Sequence, residues 1–200
     1  MFYTCQVMVK PARTPSNSIA PEVLRAALEI LDDEGPDGFT VRAIAQEAGV
    51  APMAIYNHFD GLNGVVEALW NEGFDLLRRA ITFDTGAPGD DLTSAALGYR
   101  AFALSNRGLY TLMFMHRFRN FQPSPAAARM AAQAFGEIVL IVERAQGAGI
   151  FAGARARDAA QVVWAACHGY VALELLGINF AADPDETYAL LLATLRDGFN

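Results

Sequence analysis

The sequence predicts an all-α protein of about nine helices, and three observations lead there. Alanine is abundant and β-branched residues are sparse, which favours helices over strands. Hydrophobic residues make up 53% of the 200 and charged residues 18%, so the chain can bury a real core and is not disordered. The 9 prolines and 17 glycines punctuate apolar segments and form no repeat. Fifteen basic against 22 acidic residues leave a net charge of −7, which excludes a protein that coats nucleic acid indiscriminately. Cys5 and Cys167 lie far apart in unlike contexts, so neither a disulfide framework, a metal site nor a cofactor is expected. The start lacks the basic and apolar regions of a signal peptide. No uninterrupted apolar run of 18 residues is present, so a soluble cytoplasmic protein is expected.

Residues 1–18 read as a flexible extension, with Pro11 and Pro15 as breaks. Lys10 and Arg13 make it locally basic, either a plain tail or an arm that touches nucleic-acid backbone. A first helix starts near Pro21, carries Val23, Ala27, Ile30 and Leu31 on one face, and stops at Gly35-Pro36. Thr40 is suited to cap a second helix, and Phe39 and Ile44 have the spacing of a hydrophobic staple. Val41, Ile44, Ala45 and Ala48 form its buried face. Gly49 permits the turn, and Pro52 opens a third helix in which Ile55 and Phe59 recur four apart. Small residue, three spacers, glycine, five spacers, aliphatic is the spacing of a helix-turn-helix.

The third helix has the chemistry for a DNA groove. Between Ala48 and Phe59 no acid occurs. Met53, Ala54, Tyr56, Asn57 and His58 are not needed for the core. Asn57 can donate and accept at a base edge, Met53 and Ala54 can meet a thymine methyl, and Tyr56 and His58 can reach phosphates. Arg42, on the preceding helix, can bind a phosphate or guanine. The charge balance runs the other way: residues 1–65 hold four basic side chains and eight acidic ones. Weak counterion release, and hence modest affinity per module, is expected.

Phe39-Thr40-Val41-Arg42-Ala43-Ile44-Ala45, Ala48-Gly49-Val50-Ala51-Pro52 and Ile55-Tyr56-Asn57-His58-Phe59 together resemble the DNA-binding domain of the tetracycline-repressor (TetR) family, over about 20–66. The resemblance implies a three-helix reading head, a helical ligand-sensing domain and a homodimer. It also implies that Thr40 touches the DNA backbone, that Arg42 and Ala51 to Ala54 (with Pro52 and Met53 between) approach bases, and that Tyr56 and His58 contact phosphates. One departure stands out. Many members carry a phosphate-binding lysine three residues after the Phe59 position, where this chain has Leu62.

Further helices are expected at 61–83, 90–105, 107–115, 125–147, 157–178 and 185–198, with breaks at Gly86 to Gly89, Pro123 to Pro125, Gly147 to Gly153 and Asp183-Pro184. Phe102, Tyr110, Met113, Phe114, Trp164 and His168 are candidates to line an apolar cavity, since rings and thioethers tolerate a variable guest. From Ala159 to Leu173 only Gln161 and His168 are polar, so this helix needs cover on every side. One face packs within the subunit and another meets a partner. The last helix, with Tyr188, Leu191, Leu192, Leu195 and Phe199, joins it in a four-helix dimer interface. The Trp164, His168-Gly169 spacing resembles the WHG-type branch of the TetR family. His168 reads as a neutral, hydrogen-bonded core histidine or as a polar anchor for a ligand. His116, beside Arg117 and Arg119, reads as a solvated loop residue.

Three units result: the extension 1–18, a helix-turn-helix DNA-binding domain 19–65, and a helical ligand-binding and dimerisation domain 66–200. The expected function is a ligand-responsive transcriptional regulator, a repressor that binds a pseudo-palindromic operator as a homodimer and is released by a small apolar effector. Its partners are then double-stranded DNA, that effector and a second copy, with no membrane. The alternatives are a helical enzyme using Cys167 or His168, and an interaction module that binds no DNA.

Overall fold

The computed structural model describes residues 19–198 apart from 152; Cys5, Lys10, Arg13 and Phe199, on which expectations were placed, lie outside the described residues. Those described residues form nine α-helices and no strand. They are α1 (Ile19–Asp33), α2 (Val41–Glu47), α3 (Pro52–Phe59), α4 (Leu62–Ile81), α5 (Pro88–Ser105), α6 (Arg107–Tyr110), α7 (Pro125–Gly147), α8 (Ala156–Leu175) and α9 (Pro184–Asp197).

Local chemistry sets most of these ends. The Thr40 hydroxyl accepts the Ala43 N–H at 3.1 Å and starts α2. Gly49, at φ +64°, ends it, and the Val50 N–H returns to the Ala45 carbonyl at 2.9 Å. Ser124 and Asp183 cap α7 and α9 in the same way, each followed by a proline in the first turn. Helix α5 begins at Pro88, two residues before its expected start. The buried Asp91 carboxylate accepts the Thr85 N–H and hydroxyl, which draws the preceding bend onto the helix. The segment expected as one helix over 107–115 is α6 followed by a single π turn, Thr111–Met115, closed by the His116 N–H on the Thr111 carbonyl.

Helices α1, α2 and α3 pack as a compact head around Val23, Ile44, Ala45 and Ile55. Helix α4 is common to head and bundle. Its first half buries Val65, Val66 and Leu69 in the head, and its second half packs Phe74, Leu77 and Ile81 against α5 and α7. Helices α5, α7 and α8 complete the bundle. Arg100 on α5 ties on the last pair: it bonds Glu174 of α8 at 2.7 and 2.8 Å and Asp185 of α9 at 2.6 Å, with its guanidinium over the Tyr188 ring.

In the single chain α8 is not covered all round. Gln161, Val162, Ala165, Gly169 and Leu173 form an exposed, mostly small and apolar stripe. By length and composition alone α7 is long and apolar enough to cross a membrane; here it packs laterally on α4, α5 and α8.

Candidate DNA-binding and ligand sites

In the head, α3 stands on a single buried side chain. Ile55 is fully buried at the joint between α2 and α3 and Phe59 packs partly on the core, which leaves most other side chains of the helix outward. Met53 is 64% exposed and Tyr56 53%, and Pro52, Asn57 and His58 are exposed as well; Ala54 is half-buried. Thr40, Arg42 and Ala51 are exposed too. Of the nine residues expected to meet DNA, eight are exposed and Ala54 is half-buried. No acid lies within α3. Arg25, the other arginine of the described head, is committed to Glu22 and Glu29 on α1, whereas Arg42 makes no ion pair among the described residues.

In the bundle, three polar side chains from three helices meet among rings. The Tyr99 hydroxyl (α5) lies 2.7 Å from His168 Nδ1 (α8), the Tyr110 hydroxyl (α6) lies 3.0 Å from the same nitrogen, and the two hydroxyls are 3.0 Å apart. Burial pushes the Tyr99 phenol far up and the Tyr110 phenol up to about 12, and it pushes the His168 imidazole down. All three groups are therefore neutral at physiological pH. The set is satisfied when the phenols donate inward, to Nδ1 or to each other, and the ring proton sits on Nε2. Phe114 and Trp164 stack around the imidazole with centroids at 5.0 and 5.9 Å.

Two small cavities adjoin this cluster and share Tyr99, Ile138 and Trp164. One, of about 80 Å³, is walled by Phe74, Leu77, Phe114 and Phe135; the other, of about 30 Å³, by Ile81, Ile141 and Cys167. No charged side chain lines either. Cys167 is a buried free thiol, and burial raises its pKa, which disfavours the thiolate.

The chain matches the family described as bacterial regulatory proteins, tetR family, over residues 23–69, and that described as tetracyclin repressor-like, C-terminal domain, over 92–195. It belongs to the TetR family. It is 28% identical over 192 residues to the Uncharacterized HTH-type transcriptional regulator Rv0681 of Mycobacterium tuberculosis, covering 95% of this chain and 85% of that protein. Over 47 residues, 24% of this chain and 22% of the relative, it is 43% identical to the tetracycline repressor protein class A of Escherichia coli. A solved structure from Rhodococcus sp. RHA1, of a protein described as having unknown function, superposes with a TM-score of 0.78. Its identity is 27%, over 95% of this chain and 98% of that one. The all-α architecture, a helix-turn-helix domain followed by a helical C-terminal domain, is that of the family. This TetR-family protein is a ligand-responsive, DNA-binding transcriptional regulator and not an enzyme.

Of the six bundle residues expected to line a cavity, the structure gathers Tyr110, Phe114, Trp164 and His168 into one cluster. Only Phe114 and Trp164 of the six line either cavity; Tyr110 and His168 lie behind that lining, and Phe102 and Met113 are buried elsewhere, the Met113 sulfur over Gly73 of α4. Tyr99, Phe74, Phe135 and Ile138 do line them. Tyr99 has one detectable sequence signal, a hydroxyl-bearing ring on the same helix face as the small apolar Ala95, Ala96 and Ala103. That it meets His168, 69 residues away, is decided by how α5 crosses α8.

Proposed function

We propose that this regulator represses transcription as a homodimer whose two α3 helices enter successive major grooves of a pseudo-palindromic operator, about one helical turn apart. The outward face of α3, carried by one buried isoleucine, is the observation that supports this reading most directly. Arg42, Ala51, Pro52, Met53, Ala54 and Asn57 approach bases, and Thr40, Tyr56 and His58 hold the backbone. The reading head comprises residues 19–65 and the sensing and dimerisation domain 66–200. The exposed stripe of α8, with α9, supports pairing of two subunits there, and the protein acts in the cytoplasm.

The effector is a small, uncharged, mainly apolar molecule with one hydrogen-bonding group turned to Tyr99, the member of the cluster that lines both cavities. The cavities of about 80 and 30 Å³ are smaller than the roughly 150 Å³ void that accepts benzene, so a guest must part their walls. That requirement is the source of the response, because an effector then favours the expanded state over the closed one. The segment that holds Tyr110 and Phe114 also touches the head: the Gly108 N–H donates to the Asp32 carboxylate at the end of α1 at 2.7 Å. Opening the wall at Phe114 therefore pulls, through this segment, on α1 and changes the spacing of the two heads.

The test is fluorescence anisotropy with the duplex upstream of the protein's own coding region and a scrambled duplex of equal composition. Arg42→Ala and Asn57→Ala are expected to erase the preference between the two. Unchanged preference in both variants refutes the reading.

A further inference from the structure

The described head is poorly charged for its task. Residues 19–65 hold two arginines against eight acids, and Arg25 is engaged by Glu22 and Glu29. Among the described residues of the head only Arg42 remains to neutralise phosphate, and Leu62 at the start of α4 is apolar. Affinity for a duplex comes largely from cations that displace condensed counterions, so a head with one free arginine needs others from elsewhere.

The fold brings two of them. Between the π turn and α7 the chain runs His116-Arg117-Phe118-Arg119-Asn120-Phe121, and this loop lies on the head and α4 at three points. The Phe118 ring packs on Phe39, the residue before the Thr40 cap of α2, at 5.2 Å between centroids. The Asn120 carbonyl accepts from Asn63 Nδ2, in the first turn of α4, at 3.4 Å. Phe121 packs on Trp70 of α4 at 5.7 Å. His116 is half-buried with its ring against Phe118 at 4.7 Å, so it is a packing residue and not a solvated one. Arg117 and Arg119 flank the half-buried Phe118, are both exposed, and pair with no carboxylate among the described residues. The loop is thus pinned beside the N-termini of α2 and α4, and its two cations are left over.

We propose that Arg117 and Arg119 bind the DNA backbone, so that a loop of the C-terminal domain completes the phosphate contacts that the head lacks. This rests on the DNA-binding reading and adds to it an element outside the helix-turn-helix. The contacts are to phosphates, so they contribute affinity and salt dependence without sequence preference.

The test is the anisotropy titration above, run on the full-length protein at several salt concentrations, with wild type, Arg117→Gln/Arg119→Gln and Arg117→Lys/Arg119→Lys. With two loops per dimer, the glutamine variant is expected to bind both duplexes more weakly by the same factor. Its slope of log K against log salt becomes shallower by about 2 to 4, roughly one for each phosphate that is no longer neutralised. The lysine variant is expected to restore most of the slope. An unchanged slope and affinity in the glutamine variant overturns the proposal while leaving DNA binding by α3 standing. A changed ratio between the two duplexes overturns it also, because base contacts would then be involved. Absence of binding by the wild type to either duplex overturns the DNA-binding reading itself, and the role of the loop with it.

Discussion

Gly98 lies where α5 crosses α4, and replacing it by alanine places a methyl group against backbone. A Cβ at that position stands 2.0 Å from the Ala80 carbonyl oxygen and 3.1 Å from its carbon. Contacts below 3.0 Å are essentially never tolerated, so the two helices must separate by about 1 Å, and no rotamer change relieves a clash with backbone. Overpacking of this kind costs up to about 3 kcal/mol, offset by about 1 kcal/mol of helix propensity, which leaves a net destabilisation of about 2 kcal/mol. At roughly 2–4 °C per kcal/mol for a chain of this size, the melting temperature falls by about 4–8 °C. Gly136, within α7, has nothing within 4 Å of its Cβ position. Gly136→Ala therefore gains only the propensity and raises the melting temperature by about 2–4 °C. Both variants are melted by circular dichroism at one fixed protein concentration, because stability of a dimer depends on it. A Gly98→Ala protein as stable as wild type, or both variants shifting the same way, refutes the packing argument.

Two further outcomes follow from single side chains. Ile55→Ala, at the fully buried joint of the head, costs about 2–5 kcal/mol, and hydrogen exchange is expected to accelerate in α1, α2 and α3 with loss of DNA binding. Unaltered protection in those helices counts against Ile55 as their common support. His168 titrates below its ordinary value because of burial, and its ring faces the Tyr99 and Tyr110 hydroxyls and the Phe114 and Trp164 rings. The unfolded chain then binds a proton first as pH falls, so stability drops as pH passes below about 6.5 and is recovered above it. Urea titrations between about pH 8 and 5 are expected to show this dependence in wild type and a flatter one in His168→Gln. Equal slopes in the two proteins remove His168 as its source.

The reading head was legible residue by residue. A cap at Thr40, a positive-φ glycine at Gly49, a proline at Pro52 and one aliphatic at Ile55 are local requirements, each written within a few positions of the group it serves. The ends of α7 and α9 were legible for the same reason, through Ser124-Pro125 and Asp183-Pro184. The π turn after α6 was not, because widening a turn is decided by what the side chains meet, here Gly73 under Met113 and His168 beside Phe114. Membership of an aromatic set was visible at Tyr110, Phe114, Trp164 and His168. That Phe102, Tyr110, Met113 and His168 stand off the cavities was not.

By itself the sequence determined the helices, the outward chemistry of α3 and the apolar character of the bundle, since these depend on propensity, capping and periodicity within a few turns of chain. Tertiary structure alone decided that Tyr99, Tyr110 and His168 close one hydrogen-bonded cluster, that the cavities beside it are small, and that the Arg117 and Arg119 loop lies against Phe39 and α4. Those outcomes join residues tens of positions apart, and the angles at which helices cross depend on the packing of every side chain between them.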